Sequence, residues 1–179
     1  TDRRLDLFAA TPPLESLKLL LSLAMTEGIG YTKENGWQMK LDFIDIRRAY
    51  FHAKAQRDIY VELPAEDGEP GMCGKLEKSM YGTRDAAQNW EAAYIAFMHD
   101  AGFVEGDATP CMFHNTARGI MAVVHGDDFT MLGKEADLDW FRMKIEATFE
   151  IKFRGRLGPD PGDTKSIRIL NRIVTWTKE

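Results

Sequence analysis

The chain has 179 residues, 44% of them hydrophobic and 28% charged, with a formal net charge of −5. These figures describe one globular domain able to bury a sizeable core, and they exclude a disordered or low-complexity chain. The longest apolar block, around Leu17–Met25, carries Lys18 and Ser22, so no membrane-spanning helix is expected.

Two cysteines, Cys73 and Cys111, do not make a disulfide framework, and reduced thiols in an intracellular protein are expected. The pair Cys111 and His114, with His125 downstream, lacks a fourth ligand at zinc-site spacing. No basic-then-apolar leader follows Thr1, so secretion is not expected, and the missing initiator Met reads as a piece of a longer chain. Charge is uneven: residues 151–179 hold seven Lys/Arg against three Asp/Glu, a net of +4, leaving −9 on residues 1–150. A basic C-terminal segment is compatible with gripping a polyanion and equally with a solvated surface.

In chain order, Thr11-Pro12-Pro13 predicts a helix start with Thr11 as N-cap. Leu14, Leu17, Leu20, Leu21, Ala24 and Met25 recur at helical spacing, and Gly28 ends the run. Residues 28–37 read as a loop. Met39, Leu41 and Phe43 then alternate with polar residues in a strand ending at Asp45, which by itself could simply cap a turn. Residues 59–63 form a second strand before Pro64, residues 65–71 a surface loop, and residues 73–76 a segment able to pair locally. Asp85-Ala86-Ala87-Gln88 has the form of a capping box opening a helix with Trp90, Tyr94, Phe97 and Met98 on one face, ended by Gly102.

Residues 110–114 and 120–124 flank a polar tip as a hairpin. A second hairpin follows, turning through His125-Gly126-Asp127-Asp128, with Gly126 at the first centre of a type II′ turn. Two adjacent carboxylates at a turn serve either as a solvated tip or as oxygen ligands for a hard divalent cation. A helix over residues 135–148 places Leu138, Phe141, Ile145 and Phe149 inward, and residues 150–153 and 166–176 read as strands. This order does not alternate as βαβ units would, so the expected fold is α+β, an antiparallel sheet backed by helices on one face.

The motifs in sequence are Asp45-Ile-Arg-Arg-Ala-Tyr-Phe51, Asp58-Ile-Tyr-Val-Glu-Leu-Pro64 and Lys78-Ser-Met-Tyr-Gly82. Trp90, Asp107-x-x-Pro-Cys-Met-Phe113 and His125-Gly-Asp-Asp128 follow. In this order and spacing, from about Asp6 to Trp176, they resemble the reverse transcriptases of copia-type LTR retrotransposons. There the first motif reads Asp-Val-Lys-x-Ala-Phe, the middle one Lys-Ser-Leu-Tyr-Gly-Leu-Lys-Gln-Ala-Pro-Arg-x-Trp and the last Tyr-Val-Asp-Asp.

The resemblance implies a polymerase palm with partial fingers, about residues 1–38 and 52–90 being fingers-like, and no thumb or ribonuclease H region. It implies RNA-directed DNA polymerase activity: two Mg²⁺ ions (or Mn²⁺) held by Asp45, Asp127, Asp128 and the Ile46 carbonyl, joining a dNMP to a primer 3′-hydroxyl. The implied partners are an RNA or DNA template-primer, dNTP and the rest of a Pol polyprotein, integrase and ribonuclease H, in a cytoplasmic particle or the nucleus. Tyr50 falls where an aromatic excludes the 2′-hydroxyl, although a core role fits it as well. The triphosphate is met either by the Arg47 and Arg48 side chains or by backbone N–H groups across Arg48, Ala49 and Tyr50. Lys152 matches a lysine placed to protonate pyrophosphate, and His125 and Gly126 fall beside the primer end.

Three departures accompany the match. Asp85, at the nucleotide site, stands where the family has Gln, removing an amide and putting a carboxylate near the triphosphate; Ala87 stands for Pro, and His125-Gly126 stand for Tyr-Val. The upstream basic fingers strand is missing unless Arg3 and Arg4 are its tail. The alternative is a degenerate, non-catalytic palm remnant acting as a nucleic-acid-binding or scaffold domain. A metal-dependent nuclease or cyclase would share the carboxylates but leaves the Lys78–Gly82 motif unexplained.

Overall fold

The computed structural model describes residues 9–68 and 71–177. Arg3, Arg4 and Asp6 therefore lie outside the described residues. The chain divides into two compact units, one built on residues 48–97 and the other on residues 10–47 with 98–177.

The second unit contains α1 (Leu14–Ala24), the short hairpin β1 (Tyr31–Thr32) and β2 (Gly36–Trp37), and β3 (Lys40–Ile46). Its C-terminal part holds β6 (Val104–Gly106), β7 (Thr109–Asn115), β8 (Ile120–His125), β9 (Asp128–Gly133), α3 (Glu135–Glu146) and β10 (Ile151–Leu157). The hairpin β11 (Ser166–Ile169) and β12 (Arg172–Thr175) completes it. Six strands form one antiparallel sheet in the order β10-β3-β9-β8-β7-β6. An α+β architecture with an antiparallel sheet is thus present.

Strand alternation decides which face each side chain serves. On β3, Leu41 and Phe43 join Val123, Leu132 and Leu157 in a buried cluster with Leu17, Leu20 and Ala24 of α1 and with Ile167 and Ile169 of β11. Each such buried Leu, Ile, Val or Phe side chain contributes about 1.5–3 kcal/mol of transfer free energy. On the other face, Asp42 is bonded to Arg156, which also reaches Glu135 and Asp139 on α3. The buried side of α3, Leu138, Phe141 and Ile145, therefore covers this opposite face. Helices flank both faces, which corrects the expectation of one. The sheet's central strands are apolar on both sides, so each side needs a cover.

A bulge in β10 makes this division possible. Arg154 and Arg156 are two residues apart and would share a face in a regular strand. The register slips between Phe153 and Gly155, so Arg156 pairs with Asp42 while Gly155 lies opposite Phe43. Gly155 has φ +145°, and a Cβ there would meet the Thr164 hydroxyl at 2.8 Å, so glycine is required.

Other boundaries differ locally from expectation. Helix α1 is preceded by Pro13, not Thr11, at the cap, with no side-chain bond, and it ends at Ala24, before Gly28. The expected single strand over residues 166–176 is a hairpin folded at Leu170-Asn171, both with positive φ (44° and 64°), as a type I′ turn demands. Leu170 packs against the core cluster, which offsets the unfavourable left-handed backbone. The expected loop over residues 28–37 contains the β1–β2 hairpin, whose Tyr31 and Trp37 rings lie 4.5 Å apart, and Trp37 meets Trp176 edge-on at 4.9 Å.

In the first unit, β4 (Tyr60–Glu62) pairs with β5 (Cys73–Lys75), as expected of the segment around Cys73. A short 3₁₀ turn covers Ala49–His52, and α2 (Ala86–Asp100) begins in this unit with Trp90 and Tyr94 buried. The start of α2 is fixed by polar contacts. Asn89 Nδ2 donates to Ser79 Oγ at 3.0 Å and to Asp85 Oδ2 at 3.3 Å, and Ser79 Oγ donates to the Lys54 carbonyl.

Candidate functional site

The β8–β9 hairpin closes on the pair His125 and Asp128, leaving Gly126-Asp127 as the two central residues. Gly126 has φ +63° while Asp127 does not adopt positive φ, the pattern of a type II′ turn. Register then does the rest. β3 runs antiparallel to β9, and its last pairs are Ile44 with Phe129 and Asp45 with Asp128. Two residues far apart in sequence are thereby directly opposed on one face, with Cβ atoms about 4.5–5.5 Å apart by strand geometry. The Ile46 N–H donates to the Asp127 carbonyl at 2.9 Å, which fixes the hairpin tip against the end of β3.

Like charges directly opposed across a ladder are destabilising. Arg154, brought to the same face of β10, supplies the compensation: its Nη2 donates to Asp45 Oδ2 and lies 3.4 Å from Asp128 Oδ1. Burial pushes the Asp128 carboxyl above the ordinary carboxylate range; Arg154 pulls it back, while Asp127 and Asp45 add to the rise. The Arg154 guanidinium is held above its ordinary range, chiefly by the bond to Asp45. Lys152 is exposed and sits opposite Asp45 across the β10–β3 pair. A cavity of about 130 Å³ adjoins this face, lined by Pro13, Leu17, Val123, His125, Asp128 and Leu170.

Of the residues singled out in the sequence, Asp45, Ile46, Asp127, Asp128, Lys152, His125 and Gly126 gather at this end of the sheet. Arg47 follows on the same unit, its N–H donating to the Glu150 carbonyl and its Nη1 lying 3.6 Å from the Glu150 carboxylate. Arg48, Ala49, Tyr50 and Asp85 belong to the other unit. There Arg48 takes a left-handed backbone (φ 53°) at the start of the 3₁₀ turn, Ala49 is buried, and Tyr50 stacks on Tyr81 at 4.4 Å. The Asp85 carboxylate is buried and committed to Arg57 Nη2 (3.2 Å) and Asn89. Burial opposes its charge, but the Arg57 and Asn89 bonds win and hold it below the ordinary range. Sequence reasoning missed Arg154. Its signal was the alternation Ile151-Lys152-Phe153-Arg154, which puts Arg154 on the face of Lys152.

Among the described residues no group of three His, Cys, Asp or Glu side chains forms a ready-made metal cage. The donor chemistry nevertheless fits a hard cation. Magnesium takes only one or two carboxylates from protein and the remainder from phosphate and water. Asp45 and Asp128 already converge on one cationic group, with Arg154 in that place.

An antiparallel sheet that opposes two aspartates on its central strands, beside a third at a two-residue hairpin tip, defines an α+β domain with an acidic hairpin site. The profile of the reverse transcriptase (RNA-dependent DNA polymerase) family matches residues 2–159, and the chain belongs to that family. It is similar to the retrovirus-related Pol polyprotein from transposon TNT 1-94 of Nicotiana tabacum, 24% identical over 139 residues, or 74% of this chain and 10% of the relative. It is also similar to the truncated transposon Ty1-A Gag-Pol polyprotein of Saccharomyces cerevisiae, 27% identical over 93 residues, 51% of this chain and 8% of the relative. The chain thus spans about a tenth or less of these relatives' length. The family expected from the sequence motifs is the one found.

Proposed function

We propose that this chain is the RNA-directed DNA polymerase module of a copia-type retrotransposon Pol polyprotein, joining a dNMP to a primer 3′-hydroxyl. The observation that carries the reading is the Asp45–Asp128 opposition beside the Asp127 turn, in a chain of this family. In this reading about residues 1–38 and 52–90 are fingers-like and the remainder is palm.

Two divalent cations, Mg²⁺ or Mn²⁺, when bound supply Lewis-acid stabilisation of the attacking and leaving oxygens. Asp45 and Asp127 would hold both ions, Asp128 would close the set, and Ile46 would offer its carbonyl. Little covalent work falls to side chains, so the protein acts by positioning and by neutralising charge. Tyr50, its ring backed by Tyr81, senses the sugar and excludes a 2′-hydroxyl. Arg47 and the Arg48–Tyr50 backbone serve the triphosphate, Lys152 supplies a proton to pyrophosphate, and His125 with Gly126 borders the primer end. The template-primer, integrase and ribonuclease H are the partners this reading assigns, in a cytoplasmic particle or the nucleus. Asp85 contributes through the Arg57–Asn89 network at the start of α2 rather than by touching the nucleotide.

A second reading, a non-catalytic remnant, is favoured by one observation: an arginine already neutralises the acidic pair. Primer extension on an RNA template with Mg²⁺, in the parent polyprotein, separates the two. Incorporation that vanishes in Asp45→Asn and Asp127→Asn supports the polymerase. Equal behaviour of both variants and wild type, with no incorporation, supports the remnant.

A further inference from the structure

Among the described residues, Arg154 is a charged group at the acidic pair that the polymerase reading leaves without a task. We propose that it is a built-in counter-cation, which closes Asp45 and Asp128 on each other and must leave before a divalent ion binds, so that residue 154 sets the metal affinity of the chain. This rests on the reading of the pair as a metal site.

A single nitrogen, Nη2, serves Asp45 Oδ2 and lies within ion-pair distance of Asp128 Oδ1. A cation coordinated by those oxygens needs the same lone pairs, so guanidinium and metal compete for them. Arg154 reaches the pair because Gly155 takes up the bulge, which sends Arg156 to the opposite face and leaves Arg154 on this one. Also near the pair are Asp127 at the tip, the His125 imidazole across the turn from Asp128, and Lys152, which is exposed and opposite Asp45. Arg154 contacts both carboxylates at once. The Arg154 side chain is 35% exposed, against 20% for Asp45 and 23% for Asp128. It can therefore swing into solvent on its long stem without unpacking the core, exchanging its ion pair for water. An arginine at this place explains how two opposed carboxylates are tolerated without a metal. It also removes the motive for the remnant reading, since a removable cation does not abolish a metal site.

The test is Mn²⁺ titration followed by electron paramagnetic resonance at fixed pH and salt, on wild type, Arg154→Leu, Arg154→Lys and Asp45→Asn. Arg154→Leu is expected to bind Mn²⁺ about tenfold more tightly than wild type, the scale of removing a competing charge-assisted pair. Arg154→Lys, a point charge able to serve one carboxylate at a time, falls between them by a few-fold, and Asp45→Asn abolishes the site. Should the leucine variant fail to fold, the lysine variant decides: affinity equal to wild type overturns the proposal. Measurable Mn²⁺ binding that is unchanged or weaker in Arg154→Leu overturns the counter-cation while leaving the metal site standing. Absence of binding in every variant overturns the metal site and the counter-cation with it.

Discussion

Removing Arg156 is expected to cost most of the stability that a single surface-accessible charge can hold. Its side chain is 11% exposed and grips Asp42, 1% exposed, through two bonds of 2.6 and 2.8 Å. Its further contacts, to Asp139 at 2.9 Å and Glu135 at 3.2 Å, involve largely exposed carboxylates worth about 0–1 kcal/mol each. The substitution Arg156→Ala therefore acts mainly by stranding a buried carboxylate between β3 and α3, a loss of about 3–5 kcal/mol. Burial already pushes the Asp42 carboxyl above its ordinary range, with Arg156 pulling it down. Without Arg156 it rises further. A carboxyl raised in the fold keeps its proton more tightly there than in the unfolded chain, so acid favours the folded variant and the deficit grows as pH rises through the folded value. Urea unfolding followed by circular dichroism at pH 5 and pH 8 reads both effects. The double change Asp42→Leu with Arg156→Met should recover most of the loss. A deficit below about 1 kcal/mol, or one identical at the two pH values, would refute the reasoning.

Lys40 is a buried cation, 7% exposed, with Asp163, Asp160 and Glu135 around its ammonium at 2.6–3.3 Å. Burial alone would lower its pKa, but these bonds raise it to about 12, so its contribution of about 2 kcal/mol is complete below pH 10 and is lost as pH rises through 12. Lys40→Met should lose that amount at pH 7 and flatten the alkaline limb of a urea-midpoint profile. Asp85→Gln restores the residue of the related motif but breaks the bonds from Arg57 and Asn89, and should cost about 1–3 kcal/mol at pH 7 in thermal unfolding. Because the Asp85 carboxyl is held low, that stabilisation disappears as pH falls through its folded value, and the variant should match wild type in acid. Trp176 is 5% exposed, and its buried Nε1–H has no hydrogen-bond partner among the described residues. Trp176→Phe should therefore cost less than about 1.5 kcal/mol, whereas Trp176→Ala should cost about 3–5 kcal/mol by the same unfolding assay.

What could be read from the chain divides along physical lines. Local chemistry was legible: Gly126 needs positive φ, Leu138, Phe141 and Ile145 repeat at 3.6, and Leu41 and Phe43 repeat at 2. The fold at Leu170-Asn171 was hidden because leucine carries no turn signal, and its left-handed backbone is tolerated only through tertiary packing. The face covered by α3 was hidden because the Arg156–Asp42 pair depends on a bulge, and a bulge depends on what Gly155 meets across the sheet. The acids of the candidate site were picked out only through the resemblance of their motifs, since an Asp-Asp pair alone reads as a solvated turn. Arg154 was not, because its meaning comes from the register of β10 on β3 rather than from its neighbours in sequence.

Anomalous diffraction from crystals soaked in Mn²⁺ tests the central claim most directly. A peak touching carboxylate oxygens of both Asp45 and Asp128 is expected, with Arg154 turned away from them. A map with no peak at saturating Mn²⁺, and Arg154 still on both acids, would contradict it.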